Sequence, residues 1–377
     1  MKLKILMKIK LSNPKIFVVT IIWLMVLVFF GTIEQKYIGL YEAQNKYFSS
    51  IILWVWYFPL PGGMLTMFFL TINLSAFLFK KNIWKKTNLG ILTIHSGVML
   101  LLLGSAITYF FSYEGAMQIT TKNKNSNFIQ SYHDKELAII NLNEFQDSIE
   151  YTNFSDKILT IGNNITYSTI PFEIEILNYC TNSKIYSLKS KNELGKGDLA
   201  ISNDIECINT EVEDSENKSA VKFYLKSKNN IYKNINGIYI SRLSPNQNIQ
   251  KITINNIEYV LILQPKRTYL PFTIELIDVI KISHPNTQIA KSYTSEINVL
   301  DNQQVRRQII EMNAPLRYKG YTFYQAHYEE DQITGIKTSV FAVVKNYGRL
   351  FPYISSIIMC FGVLLQIIVR LPRLFKK

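Results

Sequence analysis

Four stretches nearly free of charge interrupt an otherwise mixed chain: residues 16–33, 64–79, 89–111 and 350–369. Crossing a bilayer's hydrocarbon takes roughly 20 helical residues, and about 17 at the least. Residues 89–111 and 350–369 meet this comfortably, and 16–33 adequately. Residues 64–79 are short and carry Thr66, Thr71, Asn73 and Ser75. They reach across if residues 61–63 and Lys80 sit in the interface. The pattern predicts a membrane protein with four transmembrane helices, three N-terminal and one C-terminal. The first run follows a basic stretch, as a signal peptide would, but no small-residue cleavage site comes after it and two more runs follow soon. It reads as an uncleaved first helix. Residues 51–60 are apolar but too short to span. With Trp54, Trp56, Tyr57 and Phe58 they read as an aromatic belt or a re-entrant piece at the outer interface.

Residues 112–349 have a different grain. Segments rich in Ile, Val, Tyr, Phe and Thr alternate with Asn, Gly, Ser and Lys, and long helical apolar periods are missing. This predicts a large, mainly β domain. Ile170-Pro-Phe-Glu-Ile-Glu-Ile-Leu177 is echoed by Leu270-Pro-Phe-Thr-Ile-Glu-Leu-Ile277. In both, Pro reads as the start of a strand, where a missing ladder donor costs least. Phe172, Ile174 and Ile176 alternate with Glu173 and Glu175, as in a strand with one buried face. Two related β units in a sandwich are one reading, and a chance match the other. Residues 181–236 are polar and read as long surface loops.

Charge changes the picture by where it sits. The chain has 41 Lys and Arg against 28 Asp and Glu, a formal charge of +13. Lys2, Lys4, Lys8, Lys10 and Lys15 precede the first run. Lys80, Lys81, Lys85 and Lys86 follow the second, and Arg370, Arg373, Lys376 and Lys377 follow the fourth. These 13 cations account for the whole excess. Their alternation with the apolar runs is the positive-inside signature, which puts both ends in the cytoplasm. It points to anionic lipid headgroups and away from nucleic acid. The chain divides into a basic cytoplasmic N-terminus (1–15), three helices with short loops (16–111), an extracytoplasmic β-rich domain (112–349), a fourth helix (350–369) and a basic cytoplasmic tail (370–377). Cys360 lies inside a span. Cys180 and Cys207 both lie outside, where either a disulfide or two buried thiols fits. No CxxC is present, so neither a thiol–disulfide site nor a heme attachment site is encoded.

No hydrolase, zinc-protease or phosphate-loop motif occurs in the outer domain, and no catalytic residue is assigned. His133, His284 and His327 are scattered, without metal-ligand spacing, and read as surface or hydrogen-bonded histidines. His95 differs. It lies six residues into the third run, roughly 9 Å along a helix at ~1.5 Å per residue. Polar titratable groups at such depth face a bundle interior or a cavity and mark function. Neutral imidazole is also the standard protein ligand of heme iron. Gly90, Gly97 and Gly104 recur every seven residues and form a smooth stripe suited to close helix packing. At about 100° per residue His95 lies ~160° from that stripe, alongside Met99, Leu102 and Ala106. One face thus packs inside the protein, and the other presents His95 to something else. Spacing leaves a heme ligand and a hydrogen-bonded structural histidine both open.

Ordered pieces along the chain resemble the ResB/CcsB family of System II cytochrome c maturation. Phe30-Gly-Thr-Ile-Glu-Gln35 with Gly39-Leu-Tyr-Glu-Ala-Gln44 is similar to its first outer loop. His95-Ser-Gly97, Leu103-Gly-Ser-Ala-Ile-Thr108 and Glu114-Gly115 resemble its third span and exit. Leu270-Pro-Phe272 and Ser295-Glu-Ile-Asn-Val299 resemble strand motifs of the family. Asn313-Ala-Pro-Leu316 with Tyr318-Lys-Gly-Tyr-Thr-Phe-Tyr-Gln325 is similar to its closing motif. No family motif is evident over residues 181–250.

The resemblance implies a bacterial inner-membrane protein that pairs with a CcsA/ResC-type partner. Together the two move heme outward and attach it to CxxCH thiols of apocytochrome c. His95 would then be an axial ligand of heme b in transit, shared with a partner histidine. The partner's tryptophan-rich WWD motif is absent, so the expectation is a non-catalytic, unfused subunit, inactive alone. The alternatives are a scaffold that stabilises the CcsA-type partner without touching heme, and a membrane-anchored binding module. Cytoplasmic segments of about 8 to 15 residues are too short for a signalling domain, which argues against the latter.

Overall fold

The structure, a computed structural model, describes residues 11–143, 148–244, 249–287 and 290–374. Lys2, Lys4, Lys8, Lys10, Lys376 and Lys377 of the cation clusters lie outside the described residues. The chain forms two compact units. One holds the long helices together with Arg317–Thr322, and the other comprises Glu114–Leu316 and Phe323–Val343.

In the helical unit the apolar runs become α1 (Pro14–Ile38), α2 (Gly63–Leu78), α3 (Leu89–Phe111) and α4 (Phe351–Leu374). α1, α3 and α4 are long and apolar enough to cross a membrane; α2 is a shorter apolar helix of 16 residues. Asn13 caps α1, its side chain accepting from the Lys15 N–H at 3.0 Å, and Pro14 takes the first helical position, where a missing N–H costs nothing. Asn73 of α2 donates to the carbonyls of Leu11 and Asn13 (2.5 and 3.1 Å), and Lys80 donates to Ser12 O at 3.0 Å. These bonds tie the end of α2 to the start of α1. The aromatic stretch after α1 is a hairpin of β1 (Ile52–Val55) and β2 (Phe58–Pro61). Trp56 and Tyr57 at its turn are exposed, and Trp23 of α1 braces its base by donating to Pro61 O at 2.8 Å.

The other unit is β, as the alternation predicts, although the strand residues within 317–322 group with the helices. Its strands are β3 (Tyr113–Thr120), β4 (Asn125–Asn143), β5 (Ser148–Ser155), β6 (Asn164–Ile165), β7 (Phe172–Cys180), β8 (Ser183–Ser187), β9 (Asn203–Cys207), β10 (Ala220–Ser227), β11 (Gly237–Arg242), β12 (Ile249–Ile254), β13 (Ile257–Ser283), β14 (Ala290–Asp301), β15 (Gln304–Glu311), β16 (Leu316–Tyr318), β17 (Tyr321–Glu330) and β18 (Lys337–Lys345). A ten-stranded sheet runs β15-β14-β13-β4-β3-β18-β17-β16, with β12 also on β13 and β5 on β4. A four-stranded sheet runs β11-β10-β7-β6. The two face each other across one core. Phe172, Ile174, Ile176, Val221, Phe223 and Leu225 from the small sheet meet Leu137, Ile139, Leu261 and Leu263 from the large one.

Two expectations need correction. The polar stretch 181–236 is not all surface loop, because it contains β10, a central strand whose Val221, Phe223 and Leu225 are fully buried. Lys222, Tyr224 and Lys226 on the opposite face raise the local polarity and mask a strand of period two. Nor does Pro271 start a strand. It lies inside the 27-residue β13, whose pairing with β4 shifts register between Tyr269 and Ile274. A residue without an N–H cannot serve the ladder, so the pairing breaks there while the chain runs on. Pro171, by contrast, does precede β7. The two echoing stretches therefore share a local pattern but sit in different sheets with different neighbours.

Cys180 at the end of β7 and Cys207 at the end of β9 form a disulfide, with Cα atoms 5.1 Å apart. It fastens the β8–β9 ribbon to the four-stranded sheet. Closing a loop of 27 residues' separation contributes about 3.5 kcal/mol in the chain-entropy picture. We expect the Cys180→Ser/Cys207→Ser variant to stay folded with its thermal midpoint about 10 °C lower. Reductant should produce the same shift in the wild-type protein and none in the variant; an unshifted wild-type midpoint would count against this role.

Candidate functional site

The candidate chemistry rests on α3, and its setting comes from α4 and α2. Gly90, Gly97 and Gly104 of α3 are buried, and all three face α4. A Cβ on Gly90 would stand 2.5 Å from the backbone nitrogen of Gln366, and one on Gly97 2.6 Å from Met359 Cγ. One on Gly104 would overlap the Phe351 side chain. Gly362 of α4 answers from the other side, its missing Cβ leaving room for the Ile94 backbone nitrogen 2.8 Å away. Helices this close gain dispersion contact that side chains would prevent.

Polar bonds close both ends of the pair. At one end the Gln366 Oε1 accepts from the Ile91 N–H at 3.1 Å, satisfying an orphan donor of the first turn of α3. At the other, Asn346 Oδ1 accepts from Thr108 Oγ1 (3.1 Å), Ser112 Oγ (3.0 Å) and the Gly348 N–H (2.7 Å). Sequence reasoning passed over Gly362, Gln366 and Asn346. Gln366 carried a usable signal, a lone amide inside an apolar run.

His95 points away from the α4 contact. Its Nδ1 lies 2.8 Å from the carbonyl oxygen of Ile91, one turn earlier. A carbonyl can only accept, so Nδ1 carries the proton, and in the neutral ring the lone pair is left on Nε2. Among the described residues Nε2 has no hydrogen-bond partner. The same arrangement orients histidines that ligate metals, the far nitrogen held by a backbone acceptor. The His95 ring is half-buried and lies against Phe77 of α2, centroids 4.6 Å apart and planes at 41°. Lys80 Nζ stands over the same Phe77 ring, 5.7 Å from its centroid. The face opposite the glycine stripe is thus walled on one side by Phe77 rather than wholly open. The residues that could hold a flat metal-bearing ring here are His95, with one ring nitrogen unengaged, and Phe77 as an aromatic wall.

The remaining histidines do not come together. His133 Nδ1 pairs with Asp214 Oδ2 at 2.7 Å, in a cleft of about 310 Å³ beside Lys135 and Lys218. Burial pushes the Lys135 ammonium down, with Asp214, Asp156 and Asp134 opposing. His327 Nε2 lies 3.5 Å from Glu329 on an exposed stretch of β17, and His284 is exposed after β13. Among the described residues no three His, Cys, Asp or Glu gather as a metal site. The aromatic segment Tyr321-Thr-Phe-Tyr324 is a strand, with Tyr321 and Phe323 buried and Tyr324 exposed.

Residues 246–340 match the ResB-like family. The match falls on the β strands from β12 into β18 and does not include α3. Protein NrfI of Wolinella succinogenes is 21% identical over 312 residues, 82% of this chain and 30% of that protein. The chain spans about 30% of the length of the curated relative it matches.

Proposed function

We propose that this ResB-like chain serves in cytochrome c biogenesis as the heme-handling subunit of a System II synthase. In this reading α1, α2, α3 and α4 span the bacterial inner membrane, both ends are cytoplasmic, and the β unit lies outside. The chain pairs with a CcsA/ResC-type membrane protein, and the heme b in transit is its cargo. The attached product forms on CxxCH thiols of apocytochrome c, which the complex rather than this chain alone supplies with heme.

The observation that carries the reading is the state of His95. Nδ1 is engaged with the Ile91 carbonyl, so Nε2 is the ring nitrogen left without a hydrogen-bond partner among the described residues. A structural histidine in an apolar helix bundle has reason to satisfy both nitrogens, since an unmet polar group there is costly. His95 satisfies one. Iron coordination supplies the second partner, with a histidine of the CcsA-type protein taking the opposite axial position. α3 is held to α4 along its length by the glycine contacts, which keeps the ligand face at a fixed rotation.

The test is the absorption spectrum of the purified complex with its CcsA-type partner. Two axial imidazoles give low-spin heme, with a sharp α band on reduction. We expect that band in the wild-type complex. Complexes that assemble and support cytochrome c maturation yet never contain heme would overturn the heme reading and put the scaffold in its place.

A further inference from the structure

We infer that the outer edge of the ten-stranded sheet, strand β15, is an acceptor for an extended, unfolded polypeptide segment that docks by adding a strand. The name given to that segment, apocytochrome c, rests on the reading above; the edge itself does not.

β15 ends the sheet, and β14 is the strand hydrogen-bonded to it. The two form a hairpin through Asn302 and Gln303, both at positive φ (43° and 70°), with Asp301 opposite Gln304. A two-residue turn of this hand closes on a hydrogen-bonded pair. Alternation along an antiparallel ladder then fixes every other residue. Gln304, Arg306, Gln308 and Ile310 turn their N–H and C=O groups toward β14. Val305, Arg307 and Ile309 turn theirs outward. Among the described residues no backbone group of another segment bonds to these three, whereas the next outward residue, Glu311, exchanges bonds with Ala314. Three consecutive outward residues present a row of donors and acceptors that only an extended chain can match.

The side chains favour the same occupant. Val305 and Ile309 are 63% and 57% exposed and share the face that carries Arg307. Arg307 is occupied by Glu296 of β14 through its Nε. An incoming strand therefore meets two apolar positions flanking an arginine whose side chain, though paired with Glu296, stays exposed. Natural sheets blunt such edges with proline, bulges, covering loops or charged side chains, and of these β15 has only Arg306 and Arg307 within residues 304–310. Residues 304–310 carry no proline, and the β14–β15 pairing runs without a register shift. A second copy of this chain fits less well. Antiparallel self-pairing with full overlap of the outward residues sets Arg307 against Arg307, and like charges directly opposite are destabilising. A neutral extended segment with apolar residues four apart avoids this. A polypeptide awaiting heme attachment is unfolded and meets the need for extension.

The experiment uses the full chain in lipid discs and a fluorescent peptide spanning a heme-attachment motif, its thiols reduced, with no heme present. Hydrogen exchange read residue by residue should slow at Val305, Arg307 and Ile309 when peptide is added, and stay unchanged at Arg306 and Gln308. N-methylation of alternate peptide amides should weaken binding at least about tenfold, or roughly 1.4 kcal/mol. Ile309→Pro removes one outward N–H and no bond to β14, so it should weaken binding by a similar factor while the sheet stays intact. Unchanged exchange at the three outward amides under saturating peptide would overturn the inference, whether or not the proline variant folds. Protection that rises with protein concentration and needs no peptide would also overturn it, in favour of a second copy. Protection by an unrelated extended peptide but not by the cytochrome one would reject the named segment. His95 is untouched by all of these, so the heme reading stands or falls separately on its spectrum.

Discussion

If the proposed function holds, His95→Ala is expected to yield a complex that still assembles with its partner, copurifies with at least about tenfold less heme and fails to mature cytochrome c. The reason is local. Alanine removes Nε2, the donor proposed for iron, together with the Nδ1–H that Ile91 O accepts at 2.8 Å. That carbonyl is already part of the α3 backbone ladder, so its loss of a second donor is minor. The glycine contacts that hold α3 to α4 lie on the other side of the helix from His95. The space left is bounded by Phe77, and free imidazole is small enough to enter it and coordinate iron. Added imidazole should restore part of the heme and part of the activity. Loss of the protein itself in His95→Ala, or full activity without rescue, would each refute the ligand role: the first marks a structural histidine, the second an uninvolved one.

Gly90→Leu gives a protein that fails to accumulate in assembled form. Even a Cβ at Gly90 would stand 2.5 Å from Gln366 N and 2.6 Å from Gln366 Cα. Backbone cannot rotate away as a side chain can, so α4 must move off α3. That separation breaks the Ile91 N–H bond to Gln366 at 3.1 Å and opens the contact at Gly362. Overpacking a core costs typically 1–3 kcal/mol when side chains absorb it, and a clash on backbone belongs at or above the top of that range. Met359, by contrast, meets Gly97 with a flexible side chain, so Gly97→Ala should be milder. The comparison is a thermal-stability series in detergent for Gly90→Ala, Gly97→Ala and Gly90→Leu. Equal midpoints for Gly90→Ala and Gly97→Ala would show that backbone proximity is not what matters here.

Much of this molecule is legible from one dimension, for identifiable reasons. The bilayer-length apolar runs and their basic flanks need no tertiary partner to be recognised, because hydrocarbon thickness and lipid charge are external constraints. Period-two alternation at Phe172, Ile174 and Ile176 marks β7 for the same kind of reason: one face must leave water. The glycine stripe and the depth of His95 follow from helical geometry alone.

What tertiary structure decided is partnership. Nothing local in β10 announces a central strand, since its polar face is as visible in sequence as its buried one, and only its place between β7 and β11 buries Phe223 completely. Pro271 reads as a strand start until β4 is seen to shift register around it. The glycine stripe cannot name its neighbour; α4 does, from about 250 residues further on, with Gly362 and Gln366 supplying the complementary surface. Phe77 reaches the His95 ring by packing between helices, which spacing does not encode. The outward groups of β15 depend on which strand lies beside it. Patterns set by water, lipid and the helix repeat are written in the order of residues, whereas contacts between distant segments are settled only when both are brought to the same place.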